Sequence, residues 1–317
     1  MSNTTPSDPG AAVAGLVAEQ VQSCLGWLRQ AGDLVVGTGC LQSGSTVLSL
    51  HTDFGPAGQD KETNQDYALA WLGGASPVEP EPLMALALAD GLTSSYRSEW
   101  ASELACAVAM QTLVRELTDP PTPERQGRSP VDKARLAFAA AGRSLQKVAQ
   151  AQEAKPEESC PPGTFLSTWK YMLRKGVLLQ TTLTLAWVRG GLFRVAMLGD
   201  GGVLWRDRGA APAPVDEVLA QADLSTNAVN ALGPRTPEPS TLDCWVERPW
   251  TGQLVCALYS DGVGRGSQQV NLCLLDRVTE LYAQGSANAA LECIRQIVQE
   301  GHPAFDDNLT LAILGRR

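Results

Sequence analysis

The chain has 317 residues and a formal net charge of −9 at pH 7, and its length allows one large domain or two small ones. A surface that is negative on average repels polyanions, which excludes nucleic acid and anionic membranes as the main partner. The only histidines are His51 and His302, too few for a His-rich zinc site or a Ser-His-Asp triad. Any metal chemistry must therefore use oxygen ligands.

The first 45 residues are predicted to form an N-terminal extension. Residues 1–10 are polar and predict a disordered tail, and residues 11–34 place apolar side chains at helical spacing, which predicts an amphipathic helix that packs on the main domain or on a partner. Residues 37–45, GTGCLQSGS, predict a linker. Because there is no basic segment followed by an apolar leader, and no membrane-length apolar run, we expect a soluble cytoplasmic protein without a membrane partner.

Residues 46–317 predict one catalytic-type domain with many strands and a few long helices. Residues 180–188, 192–198 and 203–207 predict a three-stranded antiparallel meander, and the irregular stretch 208–240 predicts a flap or a disordered excursion. This balance indicates an α+β fold with sheets packed between helical layers. The remaining predicted strands are 47–52, 67–72, 242–247, 253–259 and 309–314, and the predicted helices are 99–117, about 130–152 and about 285–300.

Four carboxylates stand at the ends of apolar segments. Asp90, Asp200 and Asp261 each follow an apolar run and precede a glycine, whereas Asp307 lies just before the last run. Carboxylates and glycine carbonyls are hard oxygen donors suited to Mg²⁺ or Mn²⁺, so these residues could converge on one metal-binding edge. Taken singly, each Asp-Gly pair also fits an ordinary hairpin turn.

The order and spacing of seven short motifs resemble the metal-dependent protein phosphatases, the PPM or PP2C family of serine/threonine phosphatases. The resemblance runs from about Val47 to Leu314. The motifs, with the family patterns that they resemble, are KETNQD at 61–66 (R-x-x-N-[EQ]-D), ADG at 89–91 (the first D-G), QTTL at 180–183 (G-T-T), GDG at 199–201 (G-D-S), NALG at 230–233 (the flap stretch ending in L-G), SDG at 260–262 (S-D-G) and DDNLT at 306–310 (D-D-N-[IL]-T).

The resemblance implies a central β-sandwich of two antiparallel sheets flanked by helical layers, an α-β-β-α arrangement with the metals in a cleft at one end. It assigns Asp90 to bridge two Mn²⁺ or Mg²⁺ ions and the Gly91 carbonyl to bind one of them. Asp261 and Asp307 would complete the pair, and Asp200 would help to hold a loosely bound third ion.

The resemblance also implies the reaction. A hydroxide bridging the two metals would hydrolyse phosphoserine or phosphothreonine in line, without a phosphoenzyme intermediate. Asp66 would orient metal-bound water without binding a metal itself, and Lys61 stands where the family has the arginine that binds the substrate phosphate. Lysine keeps the charge but not the bidentate geometry.

A second departure follows Asp90. The family's D-G-[HM]-G-G becomes D-G-L-T-S-S, so Leu92–Ser95 replaces two glycines and offers no histidine as an acid. The alternative function is a pseudophosphatase that acts as a regulatory or binding module in a kinase signalling system. Retention of Asp90, Asp261 and Asp307 favours an enzyme. The expected partners are a phosphoprotein substrate and a cognate Ser/Thr kinase or other signalling protein, onto which the first helix could dock.

Overall fold

The computed structural model describes most of the chain. Its helices are α1 Ala11–Ala31, α2 Ser98–Thr118, α3 Pro130–Ala154, α4 Pro156–Ser159 and α5 Leu166–Lys175. Its strands are β1 Gly32–Val36, β2 Gly39–Ser43, β3 Thr46–Asp53, β4 Asp66–Gly73, β5 Leu83–Asp90, β6 Leu183–Arg189, β7 Leu192–Leu198, β8 Gly202–Asp207, β9 Val215–Ala220, β10 Cys244–Pro249, β11 Leu254–Tyr259 and β12 Leu309–Arg316. The described residues are 11–53, 63–74, 81–92, 94–120, 122–161, 163–207, 215–220, 230–239, 241–250, 254–260, 276 and 309–316.

The strands form two antiparallel sheets that pack face to face. The first has the order β1-β4-β5-β6-β7-β10 and the second β2-β3-β12-β11-β8-β9. Strand β5 shows why the first sheet is buried on both faces: Met84 and Leu86 point into the core between the sheets, whereas Leu83, Ala85 and Ala87 point to the helices. This architecture confirms the predicted α+β sandwich with antiparallel sheets.

The described helices cover the outer face of the first sheet. Helix α2 is rich in alanine, which lets it lie close to β4 and β5, and α3 packs beside it. The apolar face of α1, including Val17, Val21 and Leu28, is buried in the same core, and the Arg115 guanidinium of α2 lies 4.6 Å from the ring centroid of Trp27. The first helix therefore packs on its own chain. The helix predicted at about 285–300 lies outside the described residues.

The interpretation of residues 37–45 as a linker is wrong. The chain leaves α1 at Ala31 and forms β1 in the first sheet and β2 in the second. Both are short, glycine-flanked edge strands, with positive φ at Gly37 and Gly44 where the chain turns, so their hydrophobic alternation is too short to stand out in the sequence. The boundary between residues 45 and 46 stays a prediction.

The predicted three-stranded meander is also wrong in its third strand. Strands β6 and β7 form a hairpin in the first sheet, but β8 pairs with β11 in the second. The crossing depends on small residues: Gly199 has a φ of +117°, and a Cβ at Gly201 would lie 2.7 Å from the Tyr259 carbonyl oxygen. The Gly199–Gly202 segment therefore carries the chain from one sheet to the other.

Of the described helices, none has the length and hydropathy needed to span a membrane.

Candidate active site

Strand ends carrying carboxylates meet at one end of the sandwich. Asp66 begins β4 and Asp90 ends β5, and the two are directly paired across the sheet. In the facing sheet, the end of β11 at Tyr259 is paired with the start of β12 at Leu311. The four strand ends are joined by the contacts described next, so they form one rim of the core.

Side-chain alternation turns both carboxylates toward the space between the sheets. Ala68 and Ala70 of β4 face the core between the sheets, as do Met84 and Leu86 of β5. Because residues two apart in a strand share a face, Asp66 and Asp90 continue these inward-facing rows to the rim. Directly opposed residues on one face have Cβ atoms about 4.5–5.5 Å apart. Asp66 and Asp90 therefore lie side by side at the rim.

A hydrogen-bond network holds Asp66 against the second sheet. The Asp66 side chain is 5% exposed, and its Oδ2 accepts a 2.7 Å hydrogen bond from Ser260 Oγ. Ser260 Oγ in turn accepts from the Thr310 backbone N–H at 2.9 Å, and Thr310 Oγ1 lies 2.9 Å from Thr52 Oγ1. Asn64 donates to the same Thr52 oxygen at 3.2 Å and accepts from the Asp66 backbone N–H at 2.9 Å. The network fixes one sheet to the other at the cleft.

The backbone around Asp90 is held from the neighbouring strand. The Asp90 N–H donates to Thr182 Oγ1 at 3.1 Å, and the Asp90 carbonyl oxygen accepts from the Thr182 N–H and from the Thr181 hydroxyl, each at 2.8 Å. A Cβ at Gly91 would lie 2.6 Å from the carbonyl oxygen of Ser98. Only glycine therefore fits between the carboxylate and the first turn of α2.

Asp200 lies at the crossing from β7 to β8, on the same end of the sandwich. The preceding residue, Gly199, donates its N–H to Asp243 Oδ2 at 2.7 Å. Asn230 donates to the other Asp243 oxygen at 2.6 Å, which ties the turn to the segment before β10. Asp200 is partly exposed at this edge.

Asp66, Asp90, Gly91 and Asp200 are thus placed around one rim. The other predicted site residues, which lie outside the described residues, are Lys61, Asp261 and Asp307. The neighbours of the last two are placed: Ser260 immediately precedes Asp261, and Leu309 begins β12 two residues after Asp307. Within the described part of the chain, no group of three or more histidine, cysteine, aspartate or glutamate side chains is spaced to hold a metal.

The chemistry of the rim fits a divalent cation. Asp66 and Asp90 are directly opposed across the strand pair, so two carboxylates lie at one point of the rim. The carboxylate oxygens at the rim and the carbonyl oxygens of a tight glycine turn are hard ligands, which Mg²⁺ and Mn²⁺ prefer over soft ones. The ligand assignments themselves stay predictions.

Residues 58–292 match the family model described as Protein phosphatase 2C. The chain belongs to the protein phosphatase 2C family. A search of the curated proteins found no match.

Solved PP2C-type structures have the same fold. A bacterial serine phosphatase carrying an arginine substitution is 15% identical with a TM-score of 0.57, covering 87% of this chain and 100% of that one. The serine/threonine phosphatase PstP/Ppp of Mycobacterium tuberculosis is 16% identical with a TM-score of 0.51, covering 86% and 99%. PppA, described as a key regulatory component of T6SS in Pseudomonas aeruginosa, is 14% identical with a TM-score of 0.54, covering 88% and 100%. At these identities the likeness establishes the fold alone.

This PP2C chain builds the segment after Asp90-Gly91 in its own way. The segment, whose Thr93 is not described, lies beside residues 177–180. Leu92 N–H donates to the Gln180 carbonyl oxygen at 3.1 Å, and the Ser95 hydroxyl, on a side chain 5% exposed, accepts from the Gln180 N–H at 2.9 Å. Tyr96 packs edge-on against Trp169, with ring centroids 5.2 Å apart. Leu92 and Ser95 are therefore held at the rim by hydrogen bonds to Gln180.

Sequence reasoning named the acids of the PP2C motifs and missed the polar residues that hold them. Ser260, Thr310 and Asn64 are the missed members, and each stands inside a motif: S-D-G, D-D-N-L-T and K-E-T-N-Q-D. The sequence contained a signal for them, because a buried carboxylate needs hydrogen-bond partners, and a serine, threonine or asparagine in the same motifs can supply them.

Cys106 lies beneath the rim but is unsuited to nucleophilic catalysis. Its side chain is fully buried and donates to the Tyr67 carbonyl oxygen at 3.3 Å. Burial raises the pKa of the Cys106 thiol well above its usual range, and the negative charge of Asp66 raises it further. The Cys106 thiol therefore stays protonated at neutral pH and is unsuited to act as a nucleophile.

Proposed function

We propose that the protein hydrolyses phosphoserine and phosphothreonine in proteins, using two Mn²⁺ or Mg²⁺ ions with a third held more loosely. The observation that carries the proposal is the pair of facing carboxylates, Asp66 and Asp90, at the mouth of a PP2C sandwich. Carboxylate oxygens are the ligand type that Mg²⁺ and Mn²⁺ chemistry uses, and they can also orient the attacking water.

The proposed roles follow the motifs. Asp90, the Gly91 carbonyl, Asp261 and Asp307 would hold the two ions, and Asp200 would hold the third. When bound, the ions would polarise the phosphoryl oxygens and lower the pKa of the attacking water.

The chain's other residues position these groups. Ser260 donates to one Asp66 oxygen, which fixes the direction of this carboxylate so that it can orient the attacking water. Thr181 and Thr182 fix the backbone of Asp90. Lys61 supplies a point charge for the substrate phosphate, where arginine would supply two parallel hydrogen bonds.

The test is hydrolysis of p-nitrophenyl phosphate and of a phosphoserine peptide by the full chain in Mn²⁺, in Mg²⁺ and in EDTA. Activity is expected only with metal, and Asp90→Asn and Asp261→Asn are each expected to lower kcat roughly a hundredfold or more, as loss of an electrostatic catalytic group does. Asp119→Asn is the matched control, because Asp119 is a half-exposed carboxylate paired with Arg125.

Absence of metal-dependent turnover by the wild-type chain would refute the enzymatic proposal. Equal losses of kcat in Asp90→Asn and Asp119→Asn would instead refute the assignment of Asp90 to the active site. A Lys61→Arg variant adds a separate expectation: if Lys61 binds the phosphate, arginine should lower KM by restoring bidentate contact. A cognate kinase as partner and the cytoplasmic location stay predictions.

A further inference from the structure

Helix α5 is anchored by one face only. Its buried side chains are Trp169 and Leu173, four residues apart on one side, and Trp169 Nε1 donates to Ser159 Oγ at 3.0 Å. The helix ends at Gly176, which takes a left-handed conformation with φ 68° and donates its N–H to the last carbonyls. With 10 residues and two buried anchors, α5 has a fixed position on the domain.

The opposite face of α5 is aromatic and basic. Tyr171 is 54% exposed and the preceding Phe165 is 81% exposed. Arg174 and Lys175, both exposed, flank Tyr171 on the helix surface, because residues three and four apart are neighbours there. Lys175 Nζ lies 5.7 Å from the Tyr171 ring centroid. We call Phe165, Tyr171, Arg174 and Lys175 the α5 face.

The charges of the α5 face are available for a ligand. Lys170, on the side of the helix, pairs with Glu157 at 2.6 Å, but Arg174 and Lys175 form no ion pair with any carboxylate among the described residues. Arg174 Nε donates to the Lys170 carbonyl oxygen at 3.2 Å, which holds its side chain along the helix. In a chain of net charge −9, two cations that have no ion-pair partner among the described residues and lie beside exposed aromatic rings are a local exception.

The α5 face is connected to the candidate active site by a short, hydrogen-bonded segment. Tyr96 N–H donates to the Val177 carbonyl oxygen at 3.3 Å, and Leu179 N–H donates to the Tyr96 carbonyl oxygen at 3.1 Å. Thr181, which holds Asp90, follows directly. About six residues separate Lys175 from Thr181, so their Cα atoms lie at most about 22 Å apart, the reach of about seven extended residues of a substrate.

We propose that the α5 face binds an acidic segment of the phosphoprotein substrate within about seven residues of the phosphorylated side chain. Acidic side chains would pair with Arg174 and Lys175, and an apolar side chain would pack on Tyr171 and Phe165. The proposal rests on the proposed phosphatase function. Recruitment to anionic lipid is disfavoured, because polybasic lipid sites use about 4–8 cations. The α5 face has two, and the neighbouring cations Lys170 and Arg235 are paired with Glu157 and Glu153.

The test compares two phosphoserine peptides that differ only in whether a flanking Glu-Glu-Leu-Glu segment is present or is replaced by Ser-Ser-Ala-Ser. The variant is Arg174→Glu/Lys175→Glu, and the matched control is Lys147→Glu, an exposed lysine of α3. For the acidic peptide, the variant is expected to lower kcat/KM about tenfold through KM, in line with loss and reversal of two exposed ion pairs. Turnover of the neutral peptide and of p-nitrophenyl phosphate should be unchanged.

A binding measurement separates this proposal from the phosphatase proposal. A fluorescein-labelled, unphosphorylated acidic peptide is titrated with protein, and its anisotropy is expected to report binding that weakens about tenfold in the variant and falls steeply with salt. Binding of this kind without any hydrolysis would support the α5 face and contradict the phosphatase function. Equal binding by wild type and variant, an equal loss in Lys147→Glu, or binding of phosphatidylserine vesicles in place of the peptide would overturn the proposal.

Discussion

Removal of the Ser260 hydroxyl should lower the free energy of unfolding more than removal of the hydroxyl of an ordinary buried serine. Ser260 is 1% exposed, and its Oγ both donates to Asp66 Oδ2 at 2.7 Å and accepts from the Thr310 N–H at 2.9 Å. In Ser260→Ala, loss of a hydrogen bond to a carboxylate costs about 1.5–3 kcal/mol, and a buried N–H left without its acceptor costs about 1–3 kcal/mol. The free energy of unfolding should therefore fall by about 2.5–6 kcal/mol, the sum of the two contributions.

Ser102→Ala is the matched control for this substitution. Ser102 is equally buried, at 1% exposed, but its hydroxyl donates at 2.6 Å to a neutral acceptor, the Gln65 carbonyl oxygen. Its loss should cost about 1 kcal/mol. Urea unfolding in EDTA, followed by far-ultraviolet circular dichroism, measures both values without a metal contribution.

A double-mutant cycle then isolates the charged bond. Asp66→Ala is combined with Ser260→Ala, and the coupling free energy between the two sites is expected to be about 1.5–3 kcal/mol. A coupling below about 0.5 kcal/mol, or a cost of Ser260→Ala no greater than that of Ser102→Ala, would refute the argument that Ser260 holds the Asp66 carboxylate.

Three further changes test the packing and the electrostatics around the rim. Gly91→Ala forces a Cβ against a backbone carbonyl at the start of α2 and should destabilise by about 1–3 kcal/mol with loss of turnover, whereas Gly26→Ala, in open space in α1, should stabilise by up to about 1 kcal/mol; thermal unfolding and phosphatase assays check both. Burial raises the pKa of the Glu103 carboxyl, so the folded state holds this proton more tightly and loses stability as pH rises through the raised pKa. Glu103→Gln should therefore raise the melting temperature at pH 7 and have little effect below the unfolded pKa of about 4.3; the opposite sign would contradict the assignment. Ser95→Ala removes the acceptor of a backbone N–H before β6 and should cost about 1–2 kcal/mol, compared with less than about 0.5 kcal/mol for exposed Ser94→Ala, as measured by urea unfolding.

Strong apolar alternation made much of the sandwich predictable. The strand predicted at 309–314 is β12, and the helix predicted at 99–117 is α2, because each has a long, regular pattern of one period. The edge strand β2 was missed because it has only five residues and glycines at both ends, so its apolar alternation is too short to recognise. Strand β8 was assigned to the wrong sheet because short connections favour hairpins. The crossing at Gly199–Gly202 depends on the close approach of Gly201 to the Tyr259 backbone, which no local pattern contains.

The candidate site was predictable to a similar extent and for a related reason. Motif order indicated that Asp66 and Asp90 belong together, and cross-strand register places them opposite each other. The hydrogen bond from Ser260 to Asp66 could not be predicted from the order of the motifs, because it depends on the distance between the two sheets rather than on spacing within one strand. Helix α5 was not predicted either, because its two buried anchors, Trp169 and Leu173, give a single turn of pattern.

The replacement of glycines after Asp90-Gly91 has a structural rationale in the Ser95 side chain. Residues without a Cβ would leave this segment conformationally free, but here the Ser95 hydroxyl accepts from Gln180 and its own N–H donates to the Leu92 carbonyl oxygen at 2.8 Å. These bonds hold Ser95 against residues 177–180, the stretch that directly follows α5. Thr181 and Thr182 continue from it to the Asp90 backbone. The backbone of Asp90 is thus held by a segment that is anchored at one end by α5 and at the other by β6.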